Sequence, residues 1–170
     1  VVLEAIAEKT GVIPADYATM AVSEKMQMLC SVKSDVGSHV FEDGLVKDTL
    51  QTIKAIKEIQ RYNGVAGCKR YIISQCNSGL NVMEVFGLFM LSGWQREELN
   101  IDIVPLFETI DDLKRAGAIM QELYENDVYR QHLRKLGNRQ TIMLGFSDGT
   151  KDGGYLMANW SIYKAKEELT

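Results

Sequence analysis

The sequence predicts an α/β protein in two parts: an all-helical segment over residues 1–66, then three consecutive βα units over residues 67–170. Three observations carry this expectation. No strand pattern occurs before residue 69. Three later runs are short, apolar on both faces, and each is followed by a helical pattern, as in a buried parallel sheet. The runs begin roughly 30 to 40 residues apart, the size of a βα unit, and such crossovers are right-handed. An open doubly wound sheet and an arc of a barrel share this pattern.

The elements follow in order. Val2, Ala5, Ile6 and Lys9 mark a short helix closed by Gly11 and followed by Pro14. Met20 to Val32 is a Met-rich helical stretch, with Met20, Met26 and Met28 expected as core filler. From Asp43 to Tyr62, apolar residues recur at steps of one, three and four, an amphipathic helix ending at Asn63-Gly64. The first apolar run is Lys69 to Ser74, with a helix from Ser78 to Ser92. The second is Ile101 to Phe107, with helical segments Ile110 to Tyr124 and Val128 to Leu136. The third is Gln140 to Phe146, with a helix from Thr150 onward. Trp94, Leu156, Trp160 and Tyr163 fall at helical spacing and are expected in the core, whereas His132 is expected on a solvated face and His39 is isolated.

Bulk properties exclude some classes of function. The chain has 170 residues, 46% of them hydrophobic and 25% charged, as in an ordinary globular domain. A net charge of −4 gives no reason to expect nucleic acid or an anionic membrane as partner. The longest apolar run, Val82 to Trp94, is shorter than the ~20 residues that cross a bilayer and carries Glu84. Cys30, Cys68 and Cys76 match no zinc or redox spacing and read as buried, reduced thiols of a cytoplasmic protein. Val1 to Ala7 does not read as a signal peptide, and Glu167-Glu168-Leu169-Thr170 stops inside a helical pattern. The expectation is an internal piece of a longer protein.

In either α/β architecture ligands bind at the carboxyl ends of the strands, which singles out three turns. At Ser74-Gln75-Cys76-Asn77-Ser78-Gly79, Asn77 or Ser78 serves as a helix cap and nothing more is needed. At Phe107-Glu108-Thr109-Ile110-Asp111-Asp112, Thr109 is the better N-cap, with Asp112 completing a variant capping box. Glu108 is then left without a structural role at the tip of a strand. The third turn, Gly145-Phe146-Ser147-Asp148-Gly149-Thr150-Lys151-Asp152-Gly153-Gly154, carries the strongest pattern. If Asp148 caps the helix, Lys151 falls at the third helical position, where the helix dipole disfavours a cation. Gly149, Gly153 and Gly154 add a propensity cost and allow close approach by a ligand. A rule broken this way marks a functional site, and Lys151 beside a helix N-terminus suits an anion. Glu108 and Asp148 at neighbouring strand ends suit a hard cation.

The segment Val104-Pro105-Leu106-Phe107-Glu108-Thr109-Ile110-Asp111-Asp112-Leu113 and the third turn, in this order and spacing, closely resemble phosphoenolpyruvate carboxylase. Arg70 to Ser74 and Ala158-Asn159-Trp160 support the resemblance, and Ala5 to Leu29 does so more weakly. It implies an arc of a large TIM-type α/β barrel elaborated with helices. It implies a magnesium- or manganese-dependent lyase acting on phosphoenolpyruvate and bicarbonate to give oxaloacetate and phosphate. Glu108 and Asp148 match the family's metal-binding carboxylates, and Lys151 its active-site lysine. Two departures stand out: many members have Ala where Gly153 stands, and some have Arg where Tyr155 stands. The family's substrate-binding arginines, Gly/Arg-rich loop and catalytic histidine have no counterpart in these residues, and neither His39 nor His132 lies in a matching motif. The resemblance therefore implies that this chain alone is inactive and that the parent is a homotetramer. The rival expectations are another metal-dependent phosphoenolpyruvate or pyruvate barrel enzyme, and a non-catalytic assembly module with Asp148 and Lys151 as a cap and ion pair.

Overall fold

The computed structural model describes residues 1–42 and 44–170; the expected start of the third helix at Asp43 lies outside the described residues. The elements are α1 (Val2–Thr10), α2 (Val22–Ser31), α3 (Gly44–Asn63), β1 (Arg70–Ile73), α4 (Gly79–Leu91), β2 (Asp102–Phe107), α5 (Ile110–Glu125), α6 (Asp127–Lys135), β3 (Met143–Leu144) and α7 (Phe146–Leu169), with short 3-10 turns between the first helices and before β1. The mixture is α/β, and its strands form one parallel three-stranded sheet in the order β1-β2-β3. The chain groups into two compact units, Val1–Lys69 with Met83–Ile101, and Arg70–Val82 with Asp102–Thr170.

The first unit is helical because its apolar residues recur at helical steps. Leu3, Ile6 and Ala7 bury one face of α1, which Gly11 ends in a left-handed conformation (φ 62°). Val46, Leu50, Ile53 and Ile56 bury one face of α3. From α2 the core takes Leu29, while Met20, Met26 and Met28 are only half-buried. The longest apolar run is a buried helix followed by Trp94, which meets Phe89 edge-on at 5.6 Å and donates from Nε1 to the Ile53 carbonyl. No described helix is long and apolar enough to cross a membrane.

In the second unit β2 is the central, buried strand, pairing through Asp102–Pro105 with β1 and through Leu106–Phe107 with β3. The expected burial of every strand on both faces holds for β2 alone, since Ile72 of β1 and Met143 of β3 are exposed edge residues. The third strand is also much shorter than the run Gln140–Phe146. Asp102 accepts from the Thr141 hydroxyl and amide, and Gln140 donates to the Ile103 carbonyl while accepting from Tyr129, so side chains take over the pairing there.

Three further expectations change. The last helix starts at Phe146, not near Thr150, with Gly145 at its N-cap position, and it breaks at Gly154, whose φ of 79° and ψ of 165° are non-helical. Leu156, Trp160 and Tyr163 are exposed instead of buried. The face that α7 buries carries the small residues Ala158, Ser161 and Ala165, and small side chains permit close approach of helices. His132 is buried, not solvated, its ring 5.9 Å from that of Tyr129.

Candidate functional site

The three strand-to-helix turns converge at the carboxyl end of β2. Beyond the strands themselves, the Cys76 amide donates to the Leu106 carbonyl at 3.2 Å and the Gly145 amide to the Phe107 carbonyl at 2.7 Å. These bonds draw the first and third turns to β2, next to Glu108. A Cβ on Gly145 would stand 3.0 Å from the Glu108 Cα, so glycine lets the two backbones approach without displacing one another.

The second turn forms as its sequence dictates. Thr109 Oγ1 accepts from the Asp112 amide at 3.1 Å, and Asp112 Oδ2 accepts from the Thr109 amide at 3.2 Å. Asp112 is buried and also pairs with Arg115. With both groups committed to the capping box, the half-buried Glu108 is free of that work. It is not without a structural role, however: its Oε2 accepts from the Gln75 amide at 3.1 Å. Gln75 has a left-handed backbone (φ 52°), a costly state for a residue with a side chain and one that clusters at functional sites. Two residues on, the expected capping by Asn77 or Ser78 is replaced by a turn closed from inside α4, where Asn81 Oδ1 accepts from the amides of Asn77 and Ser78 and from the Ser78 hydroxyl. Burial pushes the thiol pKa of the enclosed Cys76 up to about 11, so it stands there as a neutral group.

The third turn departs from the reading above. Because α7 starts at Phe146, Asp148 is the third helical residue and not the cap, where its charge suits the helix dipole. Lys151 lies one turn further on, three residues before the break at Gly154, and its Nζ donates to Asp148 Oδ1 at 2.7 Å. The conflict expected between Lys151 and the helix dipole is therefore absent. Hydrogen bonding to Asp148, and then its negative charge, raise the Lys151 pKa above the ordinary lysine value. The glycines also serve another purpose than expected. Gly145, Gly149 and Gly153 recur every four residues, and added Cβ atoms would meet Glu108 Cα, the Glu108 carbonyl and Ile110 Cγ1 at 3.0, 3.4 and 2.6 Å. It is the β2–α5 turn, not a ligand, that approaches this face.

Glu108 and Asp148 line one pocket of about 560 Å³ together with Gln75, Asn77, Thr109 and Asp112. Lys151 is not part of that lining and joins it through Asp148. Among the described residues no group of three His, Cys, Asp or Glu side chains could hold a metal ion. The pair of carboxylates still fits Mg²⁺ chemistry, because that ion keeps several waters and is commonly held by one or two carboxylates plus substrate phosphates. Sequence reasoning missed two participants, Gln75 and Asp152. The Asp152 Oδ2 accepts from the Ile110 amide at 2.9 Å across 42 residues of chain, a pairing that no local pattern announces.

Comparison with known proteins agrees with the motifs. The family model described as phosphoenolpyruvate carboxylase matches residues 1–170. Among curated relatives, the phosphoenolpyruvate carboxylase of Nitrosomonas europaea is 36% identical over 99% of this chain and 19% of its own length. Those of Mycobacterium leprae and Corynebacterium diphtheriae are each 36% identical, over 91% and 88% of this chain and 18% and 17% of their own. The chain thus spans about a fifth of the length of the relatives it matches.

Proposed function

Because the chain belongs to the phosphoenolpyruvate carboxylase family, we propose that it carries the metal-binding part of that enzyme's active site, on an arc of a TIM-type barrel. The whole protein is then a cytoplasmic homotetrameric lyase that carboxylates phosphoenolpyruvate with bicarbonate, giving oxaloacetate and phosphate. The observation that carries this reading is that Glu108 and Asp148, from neighbouring strand ends, line one pocket.

In this reading Glu108 and Asp148 hold Mg²⁺ or Mn²⁺. Such a cation, when bound, neutralises charge developing on phosphate and enolate oxygens. Glu108 is oriented for its role by the Gln75 amide. A cation held by Asp148 would compete with Lys151 for its oxygens. Lys151 stays protonated, and once released from Asp148 it can hold an anionic substrate group. Phosphate-binding arginines and the catalytic histidine would come from elsewhere in the longer protein, so this chain alone is expected to form no oxaloacetate.

The test is Mn²⁺ binding to the chain, followed by electron paramagnetic resonance, beside Glu108→Gln and Asp148→Asn. Both variants should lose most of the wild-type affinity, and unchanged affinity in both would sink the metal assignment. In the full-length protein either substitution should lower bicarbonate-dependent turnover severely. A non-catalytic assembly role has one observation on its side, the 2.7 Å Asp148–Lys151 pair, which is an ordinary helical ion pair in its own right. Absence of specific Mn²⁺ binding would favour it.

A further inference from the structure

We propose that Asp152 is the positioning residue that holds Asp148 and Lys151 in place opposite Glu108. This rests on the metal reading of the Glu108–Asp148 pair and adds a residue to it.

The first N–H groups of a helix have no partner within the helix and must find one outside it. At the start of α5 the capping box takes the amides of Thr109 and Asp112, which leaves those of Ile110 and Asp111. Asp152 Oδ2 takes the Ile110 amide at 2.9 Å, in a partly buried bond reinforced by the carboxylate charge at a helix N-terminus. Ile110 stands two residues after Glu108. Asp152 stands four residues after Asp148, one helical turn on and on the same face. The bond therefore ties the short helical segment bearing Asp148 and Lys151 to the turn that bears Glu108. Gly153, next to Asp152, lets that segment sit against Ile110. Direct partners of ligating groups typically matter by about 10- to 100-fold in metal affinity, and Asp152, which acts one step further out through the Ile110 amide, belongs at the lower end of that range.

The experiment measures Mn²⁺ affinity of the chain by electron paramagnetic resonance, well below the unfolding temperature of each variant. Asp152→Ala should weaken binding by about 10-fold or more, whereas Asp152→Asn, whose side-chain oxygen still accepts from Ile110, should stay within about 3-fold of wild type. Ile110→Pro removes the donor and leaves Asp152 untouched, with Ile110→Ala, which keeps the amide and should bind as wild type, as the control for the buried side chain that is also lost. Proline is tolerated at the first helical position, and Thr109 already has the extended backbone (ψ 163°) that a following proline requires. Ile110→Pro should weaken binding as Asp152→Ala does. Unchanged affinity in both Asp152→Ala and Ile110→Pro overturns the proposal, as does Asp152→Asn binding as weakly as Asp152→Ala, which would make the effect one of charge. Failure of the wild-type chain to bind Mn²⁺ specifically overturns the metal reading itself and the proposal with it, an outcome distinct from wild-type binding with indifferent variants.

Discussion

The starts of α5 and α7 both follow parallel strands of one sheet, yet they are closed in opposite ways. At α5 the chain caps itself: Thr109 and Asp112 exchange hydrogen bonds, and Asp152 takes the amide of Ile110. At α7 the cap position is Gly145, which has no side chain to offer, and the segment is held by close glycine contacts with the β2–α5 turn. An end that supplies its own cap leaves the neighbouring carboxylate, Glu108, for other work. An end secured by backbone packing leaves its first-turn carboxylate, Asp148, exposed and paired with Lys151. The lesson is that the acidic residues to suspect are those that the helix ends do not consume.

Substitutions can break this contrast at graded cost. The largest effect should come from Gly154, whose backbone (φ 79°, ψ 165°) is essentially closed to other residues. Gly154→Ala should cost about 2 kcal/mol in urea unfolding, and a cost near zero would mean that α7 can run through without its break. Next, Thr109→Ala removes the self-made cap of α5 and should cost about 1 kcal/mol by the same measurement. Gly153→Ala sets the helix propensity of alanine, worth about 1 kcal/mol, against a Cβ placed 2.6 Å from Ile110 Cγ1. A net loss below about 1 kcal/mol is expected, turning to a gain when Ile110 is also replaced by Ala. If the single and double variants respond alike, the close contact is not what holds this segment. Smallest of all, Asp148→Asn should change stability by only about 0.5 kcal/mol, because both the exposed pair it breaks and its interaction with the helix dipole are worth tenths of a kcal/mol at the surface. That near-silence against the cost of Thr109→Ala is the sharpest form of the comparison, and a large loss at Asp148 would make it a structural residue.

Much of this was legible in the residues. The capping box at Thr109 and Asp112, the end of α1 at Gly11 and the three parallel strands all rest on local chemistry, which a sequence displays directly. The start of α7 was not, because Gln140 and Thr141 are drawn into side-chain bonds with β2, and Phe146 turns helical where its apolar neighbours suggested a strand. The outward face of α7 was missed because large apolar residues at helical spacing look like core, while the buried positions hold Ala158, Ser161 and Ala165. Asp152 and Gln75 act on groups 42 and 33 residues away, a distance that periodicity cannot bridge.

The two tryptophans stand in opposite surroundings, Trp94 at 3% exposure in the first unit and Trp160 at 58% in the second. Their fluorescence should therefore separate into a blue-shifted component shielded from iodide and a red-shifted one that iodide quenches. Followed through a denaturant titration, the two signals act as independent clocks. They would tell whether the helical unit and the sheet unit melt in one step or in two, with no label added to either.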